Sequence, residues 1–97
     1  MDEHLELLKK YKFDKQLKKL DKNLKNKTVL IYGAGIYFKK IKENYDLSNL
    51  NIVGISDKKF QLEQEGQEEF GIKIVPYDKI WELNPDVILI ALNVHPS

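Results

Sequence analysis

The sequence predicts an α/β fold, an open parallel sheet of about four strands in the order 3-2-1-4 with helices ahead of it. Three observations carry this. Thr28 to Tyr32 and Asp86 to Leu92 are short runs that read as apolar on both faces, as strands in a sheet covered on both sides must be. Gly33-Ala34-Gly35 joins the first of them to an amphipathic segment with Tyr37, Ile41 and Tyr45 as its apolar positions, which is strand, tight turn and helix in succession. The remaining strand-like runs are separated by crossover segments, as in β-α-β units, and right-handed crossovers set the order.

Composition bounds the function. A chain of 97 residues with 42% hydrophobic and 32% charged residues is one globular domain with a single core. Its formal charge of +1 gives no electrostatic footprint for nucleic acid or for an anionic membrane. The absence of cysteine excludes disulfides, thiolate metal sites and thiol nucleophiles. All 16 cationic residues are lysine, so a phosphate would be met by backbone N–H groups or lysine ammonium, without the bidentate arginine fork. The N-terminus lacks the apolar core of a signal peptide and no run approaches the roughly 18 apolar residues of a membrane span. The expected location is the cytoplasm, with no membrane insertion.

Residues 1–26 read as a helical segment and 27–97 as the sheet-bearing unit. Leu5, Leu8 and Tyr11 mark the apolar face of one helix; Phe13, Leu17, Leu20 and Leu24 mark that of a second, with Asp14 placed to cap it. This segment is lysine-rich, the pattern of a solvated face behind an apolar stripe. The stripe can pack on the sheet or join a second copy as a homodimer. After the first strand, the helix following Gly35 should end near Asn44 to Asp46. Asn51 to Ser56 is the second strand, closed by Asp57. Lys58 to Gly71, rich in glutamate and glutamine and interrupted by Gly66 and Gly71, reads as a mobile connection with short helical turns at most. Ile72 to Val75 is a third strand stopped by Pro76, Tyr77 to Leu83 a short helix, and Asp86 to Leu92 the fourth strand. The chain closes at Pro96-Ser97 just past that strand, which reads as a truncated domain.

The candidate site grows from the glycine turn. Gly33 permits a sharp bend, Gly35 removes a side chain that would hold a phosphate off the backbone, and a helix starting at Ile36 aims free N–H groups and its positive dipole end at the same point. Asp57 lies 22 positions after Gly35 at the end of the second strand, where a dinucleotide-binding β-α-β unit keeps the acid that binds a ribose. Together these make the architecture Rossmann-like and assign Gly33, Ala34, Gly35, Ile36 and Asp57 to cofactor binding. Lys58 flanks the acid, and Asn93 follows the fourth strand at the carboxyl edge, where open α/β sheets bind ligands. The third glycine of G-x-G-x-x-G is replaced by Phe38, which must displace the helix, turn into the core, or fill cofactor space.

No catalytic or metal-ligating set emerges. His4 and His95 lie near opposite chain ends, without triad or metal spacing. Tyr11 and Lys15 have a tyrosine-x-x-x-lysine spacing but precede the glycine turn, and the acid that methyltransferases keep two positions before the first glycine is Ile31 here.

From Lys27 to Asn93 the chain resembles the Rossmann-like nucleotide-binding domains of bacterial surface-carbohydrate biosynthesis proteins, of sugar O-acyltransferase or nucleotide-sugar epimerase and dehydratase type. The resemblance rests on IYGAG at Ile31 to Gly35, IVGISDKK at Ile52 to Lys59, GIKIVPYDKI at Gly71 to Ile80 and DVILIAL at Asp86 to Leu92. It implies a non-catalytic module that precedes a larger catalytic region and binds NAD(P), coenzyme A or a nucleotide sugar. Two alternatives stay open: a ligand-free structural or dimerisation domain, and the cofactor half of an NAD(P)-dependent oxidoreductase.

Overall fold

A computed structural model describes residues 3–91. The chain opens with two helices, α1 (Glu3–Lys10) and α2 (Phe13–Asn23). Their junction is not the predicted Asp14 cap. Lys12 takes the left-handed conformation at φ 53 and serves as the N-cap without a side-chain hydrogen bond. Asp14 falls inside the first turn of α2, where its charge still faces the positive end of the helix dipole.

The strand β1 (Thr28–Tyr32) is the centre of a three-stranded parallel sheet, with β2 (Asn51–Ser56) on one side and β5 (Val87–Ile90) on the other. Between β1 and β2 runs α3 (Ile36–Asn44). Strand alternation sends successive side chains to opposite faces, and the packing follows it. Val29, Ile31, Ile55, Val87 and Leu89 join the larger cluster with Leu8 of α1, Leu17 of α2, and Phe38 and Ile41 of α3. Leu30 and Tyr32 turn the other way, toward Val75, Ile80 and Leu83. The apolar stripes of the N-terminal helices therefore lie on the sheet, and an edge-on contact between Phe13 and Tyr45, ring centroids 4.8 Å apart, ties α2 to the end of α3.

The predicted third strand is corrected. Ile72–Lys73 (β4) pairs antiparallel with Glu68–Glu69 (β3), and Ile74 alone reaches the main sheet, through one parallel bridge to Ile55. Two causes are visible. Phe70 and Gly71 both have positive φ, which is the backbone of a tight hairpin turn; it folds residues 68–73 onto themselves. Val75 N–H then donates to Ile55 O at 2.9 Å, after which Pro76 has no N–H to continue. The sheet order is β2-β1-β5, with that one rung outside β2.

The connection predicted to be mobile is tied down. It holds a 3₁₀ turn at Leu62–Gln64 and the hairpin, Phe60 is buried, and the rings of Phe70 and Phe38 lie 5.8 Å apart. A second 3₁₀ turn, Tyr77–Lys79, runs into the short helix α4 (Ile80–Leu83), where the sequence places one. At the opposite end of the sheet, Asp86 accepts from both the N–H and the hydroxyl of Thr28, at 2.8 and 3.1 Å, fastening the start of β5 to the start of β1.

Candidate functional site

The carboxyl ends of β1 and β2 meet at one corner. Gly33 has φ 122, a backbone that glycine adopts without steric cost, and its N–H donates to Ser56 O at 2.8 Å, adding a rung to the β1–β2 ladder. Gly35 caps α3 with no side-chain hydrogen bond, and a Cβ built on it would meet nothing within 4 Å. The backbone there is bare. The first turn of α3 holds no acid, so its unpaired amides and positive dipole end go uncompensated by the helix itself. Ile36, the first helical residue, is exposed.

Asp57 comes to the same corner. One carboxylate oxygen accepts the Ala34 N–H at 2.7 Å and the other accepts the Lys59 N–H at 3.0 Å. The Lys59 ammonium donates to Ala34 O at 2.7 Å. Both polar groups of Ala34 are thus held by residues just past β2. An anion already occupies the first amide of the turn, so a ligand phosphate would have to sit one or two residues further on, against Gly35, Ile36 and Tyr37. Each Asp57 oxygen retains a lone-pair site able to accept a hydroxyl donor such as a ribose. Tyr37 is half-buried; desolvation, and then the neighbouring Tyr45, hold its phenol above the usual range. It stays a hydrogen-bond donor at neutral pH.

The structure thus brings Gly33, Ala34, Gly35, Ile36 and Asp57 together, with Lys58 exposed beside them. Asn93 lies outside the described residues. Phe38, the departure from the glycine pattern, turns into the core, where it is 2% exposed. From the sequence Lys59 reads only as the second of a lysine pair, with Lys58, flanking the turn and able to meet a ribose phosphate; the structure puts its ammonium on Ala34 O instead. Only the folded chain shows which of two adjacent ammonium groups reaches a carbonyl. Ser56 is what sequence reasoning missed, a fully buried hydroxyl without a hydrogen-bond partner. A polar residue ending an otherwise apolar strand was its sole signal.

Cavities of about 210 and 180 Å³ lie between α2 and the sheet and between α4 and β5, and neither is lined by the glycine turn or Asp57. Among the described residues no three His, Asp or Glu side chains gather as a metal site, and no helix is long and apolar enough to cross a membrane.

A family model described as C2185-like, N-terminal matches residues 25–96. The chain belongs to the C2185-like N-terminal family. No curated protein and no solved structure matches it. The C2185-like match begins after α2 and takes in every strand, the glycine turn and Asp57; α1 and α2 precede it.

Proposed function

We propose that this C2185-like domain is a Rossmann-like module that binds a nucleotide-type ligand, NAD(P), coenzyme A or a nucleotide sugar, and performs no chemistry of its own. Its setting is a larger bacterial carbohydrate-biosynthesis protein. The observation that supports the reading is the convergence of bare backbone at Gly35, the uncompensated start of α3, and Asp57, which reaches the turn from the end of the neighbouring strand. The single rung between Ile74 and Ile55 supports the order 3-2-1-4 at the heart of that architecture.

The test is an amide-resolved NMR titration of the chain with NAD, NADP, coenzyme A and a UDP-sugar. Binding at this corner moves the Gly33, Gly35, Ile36 and Tyr37 amides together. Silence of those four amides at millimolar concentrations of every ligand overturns the reading.

One observation favours a second reading, a structural domain without a ligand. Asp57 and Lys59 between them close both polar groups of Ala34, which staples the turn from inside the chain. On that reading Asp57→Ala lowers stability by about 1–3 kcal/mol, the usual cost of stranding a bonded partner, while the amides stay silent to ligand before and after.

A further inference from the structure

The cavity of about 210 Å³ between α2 and the sheet has an unusual lining. Leu17 and Leu20 of α2 form one wall, Phe38 and Ile41 of α3 another, and Ile31 and Leu89 of the sheet the floor. From Phe13 to Ala91, no charged side chain takes part. Two polar ones do. Gln16 is exposed, which brings the cavity to the surface, and its amide N–H is committed to Tyr11 O at 2.8 Å. Tyr37 is half-buried, and burial, then Tyr45, holds its phenol above the usual range. The phenol therefore keeps its proton and has a donor to offer.

Three kinds of content compete for such a space. Protein interiors leave few voids larger than a water, and a lining with nothing opposite it loses its dispersion contacts outright. A cavity of about 150 Å³ lined by Leu, Ile and Phe already admits benzene, so this one is well beyond a packing imperfection. Water is a poor filling, because each ordered water needs about two to four polar partners and this lining has a phenol and part of one amide to give. An ion is worse, since an unpaired charge in apolar surroundings is heavily penalised. A neutral, ring-sized molecule meets each requirement. It covers the leucines, fits the volume with a short substituent, and sets its one polar group against Tyr37.

We propose that this cavity is a binding site for a neutral, largely apolar ring molecule whose single acceptor takes a hydrogen bond from the Tyr37 hydroxyl. The lining includes neither the glycine turn nor Asp57, so this site and the nucleotide corner stand or fall independently. It also gives α2 a role. That helix ends before residue 25, where the C2185-like match begins; one wall of the site is thus supplied from outside the matched region, and a bound ring fastens that wall to the sheet.

The probe is acetophenone, a ring of this size with one carbonyl; ethylbenzene lacks the acceptor, and benzoate replaces it with a charge. In methyl-resolved NMR titrations of the chain, acetophenone should move the Leu17, Leu20, Ile31 and Ile41 methyls together and saturably. The expected Kd is on the order of 0.1–1 mM for a ligand of about nine heavy atoms, and benzoate should bind at least about tenfold more weakly. Tyr37→Phe should weaken acetophenone roughly 2–12-fold, the range for one hydrogen bond, and leave ethylbenzene unchanged, whereas a merely structural role moves both. Leu20→Phe, which fills the space from α2, should abolish binding of both neutral probes. Circular dichroism establishes that each variant is folded, and if Leu20→Phe does not fold, Tyr37→Phe decides alone. Five outcomes overturn the proposal: no saturable shift up to the solubility limit, shifts confined to the Gly33 and Gly35 amides, benzoate binding as well as acetophenone, Tyr37→Phe altering neither neutral probe or both equally, or undiminished binding in a folded Leu20→Phe.

Discussion

Asp86 shows how one side chain fixes a strand register. Its carboxylate takes two hydrogen bonds from Thr28, and these bonds, first the backbone N–H and then the hydroxyl, hold its pKa below the usual carboxylate value, with a smaller contribution from Lys27. A carboxyl whose folded pKa is depressed binds protons more readily in the unfolded chain, so its stabilisation is present above the unfolded value and disappears as pH falls through the folded one. Asp86→Ala should therefore lower the melting temperature at pH 7, and the gap from the parent should close as pH is taken from about 5 to below the depressed folded value. Thermal melts across that range decide it; a gap that stays constant with pH shows that the carboxylate charge is not involved.

Among the elements, β2 carries the tightest constraint. A Cβ built on Gly54 would lie 2.6 Å from Val75 Cγ2, with Leu30 Cδ1 and Leu83 Cδ2 at 3.5 Å, so the smallest side chain collides with the layer that joins α4 to the sheet. Gly54→Ala should cost about 1–3 kcal/mol, the range for overpacked cores, measured as a lower urea midpoint with an unchanged slope. That close approach was invisible in the sequence, where Gly54 is one more residue in NIVGIS. The strands β1 and β5 were legible because an uncharged run between turn residues has few other uses in a chain this charged. The hairpin was not. Phe70 holds φ 55, a conformation that a bulky side chain rarely takes, and the contact that accompanies it, its ring on Phe38, links residues 32 positions apart. The glycine corner was legible down to Asp57, since its parts recur at fixed spacing; the role of Lys59 was not, because a flexible four-carbon stem leaves no spacing to read.

On the scale of the whole molecule, the helical segment and the sheet share one core. Leu8 of α1 is 2% exposed and clusters with Val29, Phe38 and Ile55, although α1 precedes the region that the family model covers. Leu8→Ala should remove about 2–5 kcal/mol, a large part of the 5–15 kcal/mol typical of a domain. It should also move the whole transition as one. Near-ultraviolet circular dichroism, which reads the packed ring pairs on both faces of the sheet, and far-ultraviolet circular dichroism, dominated by the helices, should give coincident urea curves in both parent and variant. Separate transitions would mean that α1 and α2 are an appendage.

The middle position of β1 has a consequence for synthesis. Its two neighbours are recruited from far along the chain, β2 first and then β5, whose Val87 meets Val29 across 58 residues. As the polypeptide leaves a ribosome at some 5–20 residues per second, β1 waits several seconds with one flank unpaired, a bare template for any passing strand. That interval, more than the finished architecture, is where this protein is most exposed to aggregation, and where a chaperone would have most to do.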